Sequence, residues 1–196
     1  MDAVRQFRLA SKAKTTNGYA KVPHLFAQIT QPDNTNYLII PRVSSERRRY
    51  APIGFMDANI ISSDAVQIVP NATLYHFGIL TSNVHMAWMR AVCGRLKSDY
   101  RYSKELVYNT FPWPTPTDKQ RSMIEQTAQA ILDARAMYPD SSLADLYDET
   151  TMPVELRKAH QNNDRAVMQA YGFKVGDMTE SQCVAELMKM YQKLVQ

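Results

Sequence analysis

The pattern of apolar and polar positions predicts short strands in the first part of the chain. Apolar runs rich in β-branched residues are bounded there by Pro, Gly, Asn and Ser, which is typical of strands that end in turns. These runs are Tyr37–Ile40, Ile53–Met56, Ile60–Ile61 and Val66–Val69. They predict one small mixed sheet of about four or five strands.

Helical spacing follows the predicted strands. A helical pattern begins after Thr73 and is interrupted by polar residues at 81–83, where Ser82 or Asn83 is predicted as the N-cap of a second helix. Apolar residues then recur at helical spacing over 84–96, so this helix is predicted to include Gly94. Upstream of the strands, residues 1–21 predict a short element followed by a flexible basic loop from residue 11 to residue 19, and residues 33–36 predict a turn.

The rest of the chain predicts helices alone. Pro112, Pro114 and Pro116 hold an extended crossing, which marks a domain boundary between 1–112 and 113–196. Helices are predicted to start at Thr117–Asp118, at Ser141 or Ser142, at Thr151–Pro153 and at Thr179–Glu180. The predicted fold class is α+β: a small mixed β-sheet domain with flanking helices, followed by an all-α helical C-terminal region.

Charge divides the chain at the same place. Residues 1–112 hold 14 Lys and Arg against 7 Asp and Glu, and residues 113–196 hold 9 against 12. Only the first part therefore has an electrostatic field suited to a polyanion. The helical part is not expected to contact phosphates along its length.

Motifs of catalysis are missing from the sequence. No Gly-rich nucleotide loop follows a strand, no Gly-x-Ser-x-Gly occurs, and the four histidines share no metal-ligand spacing. Cys93 and Cys183 lie far apart, which indicates reduced thiols and a cytoplasmic location. No signal peptide opens the chain, and no apolar run approaches the length of a membrane span.

The candidate chemistry lies in an arginine-rich loop between two predicted strands. Arginine reads guanine through two hydrogen bonds, serine reads either kind of base edge, and glutamate accepts from the amino group of cytosine. This set is Arg42, Ser44, Ser45, Glu46, Arg47, Arg48 and Arg49. The alternative is a solvated turn whose arginines pair with Glu46 and with acids elsewhere, although three consecutive arginines cannot all face one acid.

Three further cations have two open interpretations. Arg90, Arg95 and Lys97 fall toward the end of the predicted second helix, where positive charge suits the helix dipole. Contact with DNA phosphates is the other interpretation. The polar segment that follows, from Ser98 to Ser103, carries two tyrosines around an arginine.

Several segments resemble one protein family. The stretch from Pro41 to Arg48, with Tyr50 and Ile53–Phe55, is similar to the target recognition domain of MmeI-like (type IIG/IIL) DNA methyltransferase and restriction-modification proteins. So are Phe7-Arg8 with Ser11-Lys12, and the longer stretch His85–Ser103. The segment Leu106–Pro114 resembles the junction before that family's C-terminal helical region, and four later stretches resemble the region itself: Leu143–Tyr147, Met152-Pro153, Glu155–His160 and Asp164–Val167.

This resemblance implies a parent protein that methylates adenine N6 in DNA with S-adenosylmethionine. The catalytic Asn-Pro-Pro-Tyr-type motif and the cofactor-binding glycines of that family are absent here, and we expect them before Met1. The implied partners are duplex DNA and the missing methyltransferase domain. DNA reading carries over to the loop from Arg42 to Arg49, and backbone contact carries over to Lys97, Arg101 and Tyr102.

Three hypotheses follow from the sequence. The first is a DNA recognition module without its catalytic domain. The second is a helical fragment for protein interaction or self-association with an incidental basic surface, which suits the acidic helices and the 11 Met and 11 Tyr residues. The third is a self-sufficient enzyme, which would have to bind S-adenosylmethionine by itself.

Overall fold

The order of elements confirms the predicted α+β class. The structure is a computed structural model that describes residues 1–26 and 35–196. Within these ranges the α-helices are α1 (Asp2–Leu9), α2 (Lys14–Gly18), α3 (Leu74–Leu80), α4 (Asn83–Val92), α5 (Asp118–Ala136), α6 (Leu143–Leu146), α7 (Val154–Ala170) and α8 (Glu180–Val195). A 3-10 helix covers Tyr19–Lys21 and a π-helix covers Lys104–Tyr108. The strands are β1 (Tyr37–Pro41), β2 (Val43–Ser44), β3 (Gly54–Met56), β4 (Val66–Pro70), β5 (Gly94–Leu96) and β6 (Asp99–Arg101). None of these helices is long and apolar enough to cross a bilayer.

The first 32 residues form a small compact unit. It contains α1, α2 and a 3-10 turn, and α2 replaces part of the flexible loop predicted from residue 11 to residue 19. The guanidinium of Arg8 donates to the carbonyl oxygens of Tyr19, Val22 and Leu25 at 2.9, 2.9 and 2.8 Å. Arg8 therefore has a structural role in this unit. The turn predicted at residues 33–36 lies partly outside the described residues.

The larger unit, Asp33–Gln196, contains two small sheets instead of the single mixed sheet that was predicted. The first has the order β3-β1-β4, and the second has the order β2-β6-β5. Every pairing in both sheets is antiparallel. Residues 60–61 were predicted as strand, but both are exposed and lie outside the strands.

Helix α4 ends earlier than its apolar spacing predicts. The backbone becomes extended at Cys93, and Gly94–Leu96 then pairs with Asp99–Arg101 as a hairpin. Leu96, the last apolar position of the predicted helix, is 50% exposed. Of the three cations assigned to that helix end, only Arg90 lies in its last turn, so the dipole interpretation fails for the other two.

Side-chain caps fix the later helices where the sequence predicts them. Thr117 caps α5, Ser142 caps α6 and Thr179 caps α8, and each accepts a hydrogen bond from the backbone three residues on. Thr117 and Thr179 are also paired with a glutamine in a capping box. Helix α7 begins after Pro153 and ends just before Gly172, whose φ is +70°.

One apolar core joins the strands and the helices of the larger unit. It runs from Leu38 and Ile40 through α3 and α4 to Ile124 and Leu156. Helix α3 packs tightly against α5 at Gly78, where an added Cβ would lie 2.7 Å from Cγ2 of Ile124. The segments before and after the proline crossing therefore share a core, and the boundary at 112/113 stays a prediction.

We expect Gly78→Ala to destabilise the protein. The new methyl group would overlap Ile124, so the free energy of unfolding should fall by about 1–3 kcal/mol, as in other overpacked cores. Urea denaturation followed by circular dichroism measures the change. Gly18→Ala is the matched control because nothing lies within 4 Å of its Cβ position, and it should not destabilise. An unchanged midpoint for Gly78→Ala would contradict the close approach.

Candidate nucleic-acid interface

The second sheet joins the arginine-rich segment to the hairpin. We call residues 42–49 the basic loop and residues 94–101 the hairpin. In the sheet, Val43 lies opposite Arg101 and Ser44 lies opposite Tyr100. The carbonyl oxygen of Arg42 also accepts from the backbone N–H of residue 102 at 2.8 Å. Two segments that the sequence singled out separately therefore form one surface.

Alternation along β2 and β6 decides which side chains reach that surface. Val43 is 41% exposed and Arg101 is exposed, whereas Ser44 is 3% exposed and Tyr100 is buried. Successive side chains of a strand point to opposite faces, so these exposures follow from the pairing. The side chain of Ser44 is therefore not available to a ligand at the surface.

A tight turn presents the middle of the basic loop. The backbone N–H of Arg48 donates to the carbonyl oxygen of Ser45 at 3.1 Å, and Ser45 Oγ accepts from Arg47 at 3.3 Å. The backbone N–H of Glu46 lies 3.4 Å from Oδ1 of Asp99, which ties the turn to the hairpin. Arg42, Glu46 and Arg47 are exposed, and Ser45 is half-buried.

The arginines of the basic loop have no ion-pair partner within residues 1–26 and 35–196. The solvated-turn alternative predicted pairing with Glu46 and with other acids. The pKa of Asp148 is lowered mainly by hydrogen bonds from Thr150, with a smaller contribution from the charges of Arg48 and Arg47. The charge of Arg49 lowers the pKa of Asp164 and of Tyr50 against the effect of burial. The exposed Arg42 and Arg47 are therefore the guanidinium groups best placed to bind an external anion.

The last two arginines of the loop turn toward the helices. Arg48 is half-buried, and its Nη2 lies 3.5 Å from the carbonyl oxygen of Ala144 in α6. Arg49 is exposed and lines a cavity of about 610 Å³ together with Arg90 and Arg165. Its carbonyl oxygen accepts from Nη2 of Arg90 at 2.9 Å. The side chain of Arg48 and the backbone of Arg49 are therefore bound to the helices.

The hairpin adds two exposed cations beside the loop. Lys97 lies at the hairpin tip with φ +57°, a left-handed conformation, and its side chain is exposed. Arg101 is exposed on the outer side of β6. Arg95 instead stacks on the ring of Tyr100 at 4.1 Å and donates to the carbonyl oxygen of Ser98. The stacking is a contact that the predicted helix could not reveal.

Tyr102 is turned inward and is 3% exposed. Its hydroxyl lies 3.2 Å from Nε2 of His85, and Nδ1 of His85 lies 2.8 Å from the carbonyl oxygen of Leu80. The sequence predicts that Tyr102 contacts the DNA backbone, but its side chain faces the core instead of the surface. Burial lowers the pKa of His85 to about 4, and the hydrogen bond to Leu80 opposes that shift.

The chain is similar to known proteins over nearly its whole length. The family described as "MmeI, target recognition domain" matches residues 1–115, and "MmeI, C-terminal domain" matches residues 116–196. The "DNA methyltransferase A" of Bacillus subtilis (strain 168) is 40% identical over 193 residues, which is 98% of this chain. A solved structure of the type IIL restriction-modification enzyme MmeI in complex with DNA has a TM-score of 0.93 and 54% identity over 99% of this chain.

The family model for the recognition domain covers more than half of the chain. The chain therefore belongs to the MmeI target recognition domain family and continues into that family's C-terminal domain. It spans 22% of the Bacillus protein and 26% of the MmeI chain in the solved structure.

Acid should destabilise the protein through His85. Its pKa is depressed in the folded state, so its contribution to stability is fully present above the ordinary value of 6.5 and is lost as the pH falls toward about 4. We expect a loss of about 2–3 kcal/mol in the free energy of unfolding between pH 7 and pH 4.5 from this group. His160, whose pKa is also lowered by burial, adds a loss of the same sign.

Urea denaturation at the two pH values measures this effect. His85→Gln should lower stability at pH 7 and should show a smaller loss on acidification than the wild type. His24→Gln is the control, because that side chain is exposed. Equal acid sensitivity of the wild type and His85→Gln would show that His85 is not buried as a neutral group.

Proposed function

We propose that this chain reads the target sequence in duplex DNA for an S-adenosylmethionine-dependent adenine-N6 DNA methyltransferase of the restriction-modification type. The observation that carries the proposal is the sheet pairing of the basic loop with the hairpin. It brings exposed cations from residues 42–47 and 97–101 onto one surface, and none of them forms an ion pair within the described parts of the chain. A duplex offers both phosphates and base edges to such a surface.

The exposed residues of this surface take two roles. Base reading is assigned to Arg42 and Arg47, with Ser45 and Glu46 beside them, because planar guanidinium groups fit guanine. Phosphate contact is assigned to Lys97 and Arg101, and Arg48 and Arg49 add positive charge next to them. No contact with DNA is proposed for the side chains of Ser44 and Tyr102, because both are buried.

Methyl transfer is proposed to take place outside the matched span, since the chain covers about a quarter of its relatives or less. One kind of nucleotide-binding site that could hold S-adenosylmethionine is built on a parallel strand, a Gly-rich turn and a helix. The described residues do not form such a site, because both sheets are antiparallel. The proposed partners are therefore duplex DNA and the methyltransferase domain of the parent chain. The proposed location is the cytoplasm, which suits the two free cysteines.

Binding to a duplex should depend steeply on salt. The slope of log K against log salt is about −0.9 for each phosphate contacted, so Lys97→Ala should make the slope shallower by about 1. Fluorescence anisotropy with a labelled duplex of random sequence measures both quantities. Lys119→Ala is the matched control, because Lys119 is an equally exposed lysine on α5 in the acidic region. Salt-insensitive binding, or none, by a folded sample would overturn the proposal.

Arg47→Lys separates base reading from charge. A lysine keeps the positive charge but loses the planar fork, so the variant should keep the salt slope of the wild type and lose discrimination at one base position. The expected loss corresponds to about 1–3 kcal/mol. Selection from a random duplex pool, followed by sequencing, measures it. Unchanged discrimination in both Arg47→Lys and Arg47→Ala would assign Arg47 to the phosphates instead.

A further inference from the structure

A buried tyrosine directly follows the basic loop and is held by the C-terminal helical region. Tyr50 is 1% exposed, and its hydroxyl donates to Oδ2 of Asp164 in α7 at 2.7 Å. The ring of Tyr50 stacks on His160, one turn earlier in α7, with the ring centres 4.1 Å apart. Two residues of one helix therefore fix both the polar end and the flat face of the side chain that follows Arg49.

Asp164 also accepts hydrogen bonds from the first residue of α4, the helix that leads into the hairpin and has Ser82 as its N-cap. Its Oδ1 accepts from the backbone N–H of Asn83 at 2.7 Å, at the start of α4. Its Oδ2 accepts from Nδ2 of Asn83 at 2.7 Å, and the same Nδ2 lies 3.2 Å from the hydroxyl of Tyr50. Burial raises the pKa of Asp164, and the hydrogen bonds from Asn83 and Tyr50 oppose that rise. Both carboxylate oxygens accept hydrogen bonds, so several contacts fix the position of Asp164 at once.

Other contacts hold the same end of the loop to the helices. Arg90 of α4 donates to the carbonyl oxygen of Arg49 and pairs with Glu180 of α8 at 3.1 Å. His160 in turn lies 2.7 Å from the hydroxyl of Tyr147, next to α6. The start of the loop is fixed by the hairpin, and its end is held by α4, α6 and α7, with α8 acting only through Arg90. The path of Arg47 between these two anchors depends on both.

We propose that Asp164 is a positioning residue for DNA sequence discrimination, which sets the path of the basic loop through Tyr50. This inference rests on the proposed function. Base reading requires a guanidinium fork to meet two acceptors at hydrogen-bond distance, whereas phosphate contact tolerates a displaced cation. A loop released from Asp164 keeps its charges and its attraction to a duplex but loses its fixed geometry. Discrimination should therefore fall while non-specific affinity stays.

The test compares two variants of the full chain. Tyr50→Phe removes one hydroxyl and keeps the ring that stacks on His160, and Asp164→Asn keeps the shape but replaces one acceptor oxygen with a donor. The probe is a pool of random-sequence duplexes, which gives the selected motif by sequencing and the non-specific affinity by anisotropy. We expect both variants to lose at least about fivefold in discrimination at the positions read by the loop. Affinity for the unselected pool and its salt slope should stay within about twofold of the wild type.

Tyr171→Phe is the matched control. It removes a comparable hydroxyl, which donates to the carbonyl oxygen of Pro112 at 2.9 Å, away from the basic loop. Its selected motif should equal that of the wild type. Circular dichroism checks that every variant is folded, and Tyr50→Phe carries the test if Asp164→Asn does not fold.

The outcomes separate the two proposals. A wild type that selects a motif, with Tyr50→Phe selecting the same motif equally well, overturns the positioning role and leaves the proposed function intact. An equal fall in motif discrimination and pool affinity indicates a general structural role and also overturns it. A folded wild type that does not bind the pool overturns both. In an Arg47→Ala background, Tyr50→Phe should cause no further loss of discrimination at the base position read by Arg47, because the reader that it positions there is absent.

Discussion

The candidate interface depends on the backbone pairing between β2 and β6. Only two residue pairs form it, with a further backbone hydrogen bond from residue 102 to Arg42. A ladder this short has little stability by itself. It is supported on its inner face, where Tyr100 packs into the core and Tyr102 reaches the buried ring of His85. The polar outer face is therefore held by apolar and neutral groups beneath it.

The helical region has a second role besides completing the core. It supplies the carboxylate, the imidazole and the backbone acceptor that hold the end of the basic loop. Connecting loops of this length are usually the least ordered part of a domain. Here the cost in entropy of ordering the loop is offset by burying one tyrosine and by hydrogen bonds that a solvated turn would lack. The acidic helical region therefore holds the end of the basic loop in a fixed position.

Sequence reasoning succeeds where the cause of a structure is local. The capped starts of α5, α6 and α8 follow from a Ser or Thr and the residue three positions later, and the central strand Tyr37–Pro41 follows from its apolar run. The hairpin was missed because Val92 and Leu96 have helical spacing, and the partner strand of β6 lies more than fifty residues earlier. The burial of Ser44 and Tyr102 depends on that same pairing. Asp164 was missed as well, because its partners Tyr50 and Asn83 are distant in sequence.

The link between Tyr50 and Asp164 also has a consequence for the timing of folding during synthesis. The two residues are 114 positions apart in the chain. At about 5–20 residues per second, the ribosome adds Asp164 roughly 6–23 seconds after Tyr50. The arginines of the basic loop are thus synthesised early but gain their final path late. A nascent chain that has not yet produced α7 carries the charge of the loop without the contact to Asp164, so under the proposed function it would attract DNA before it could discriminate between sequences.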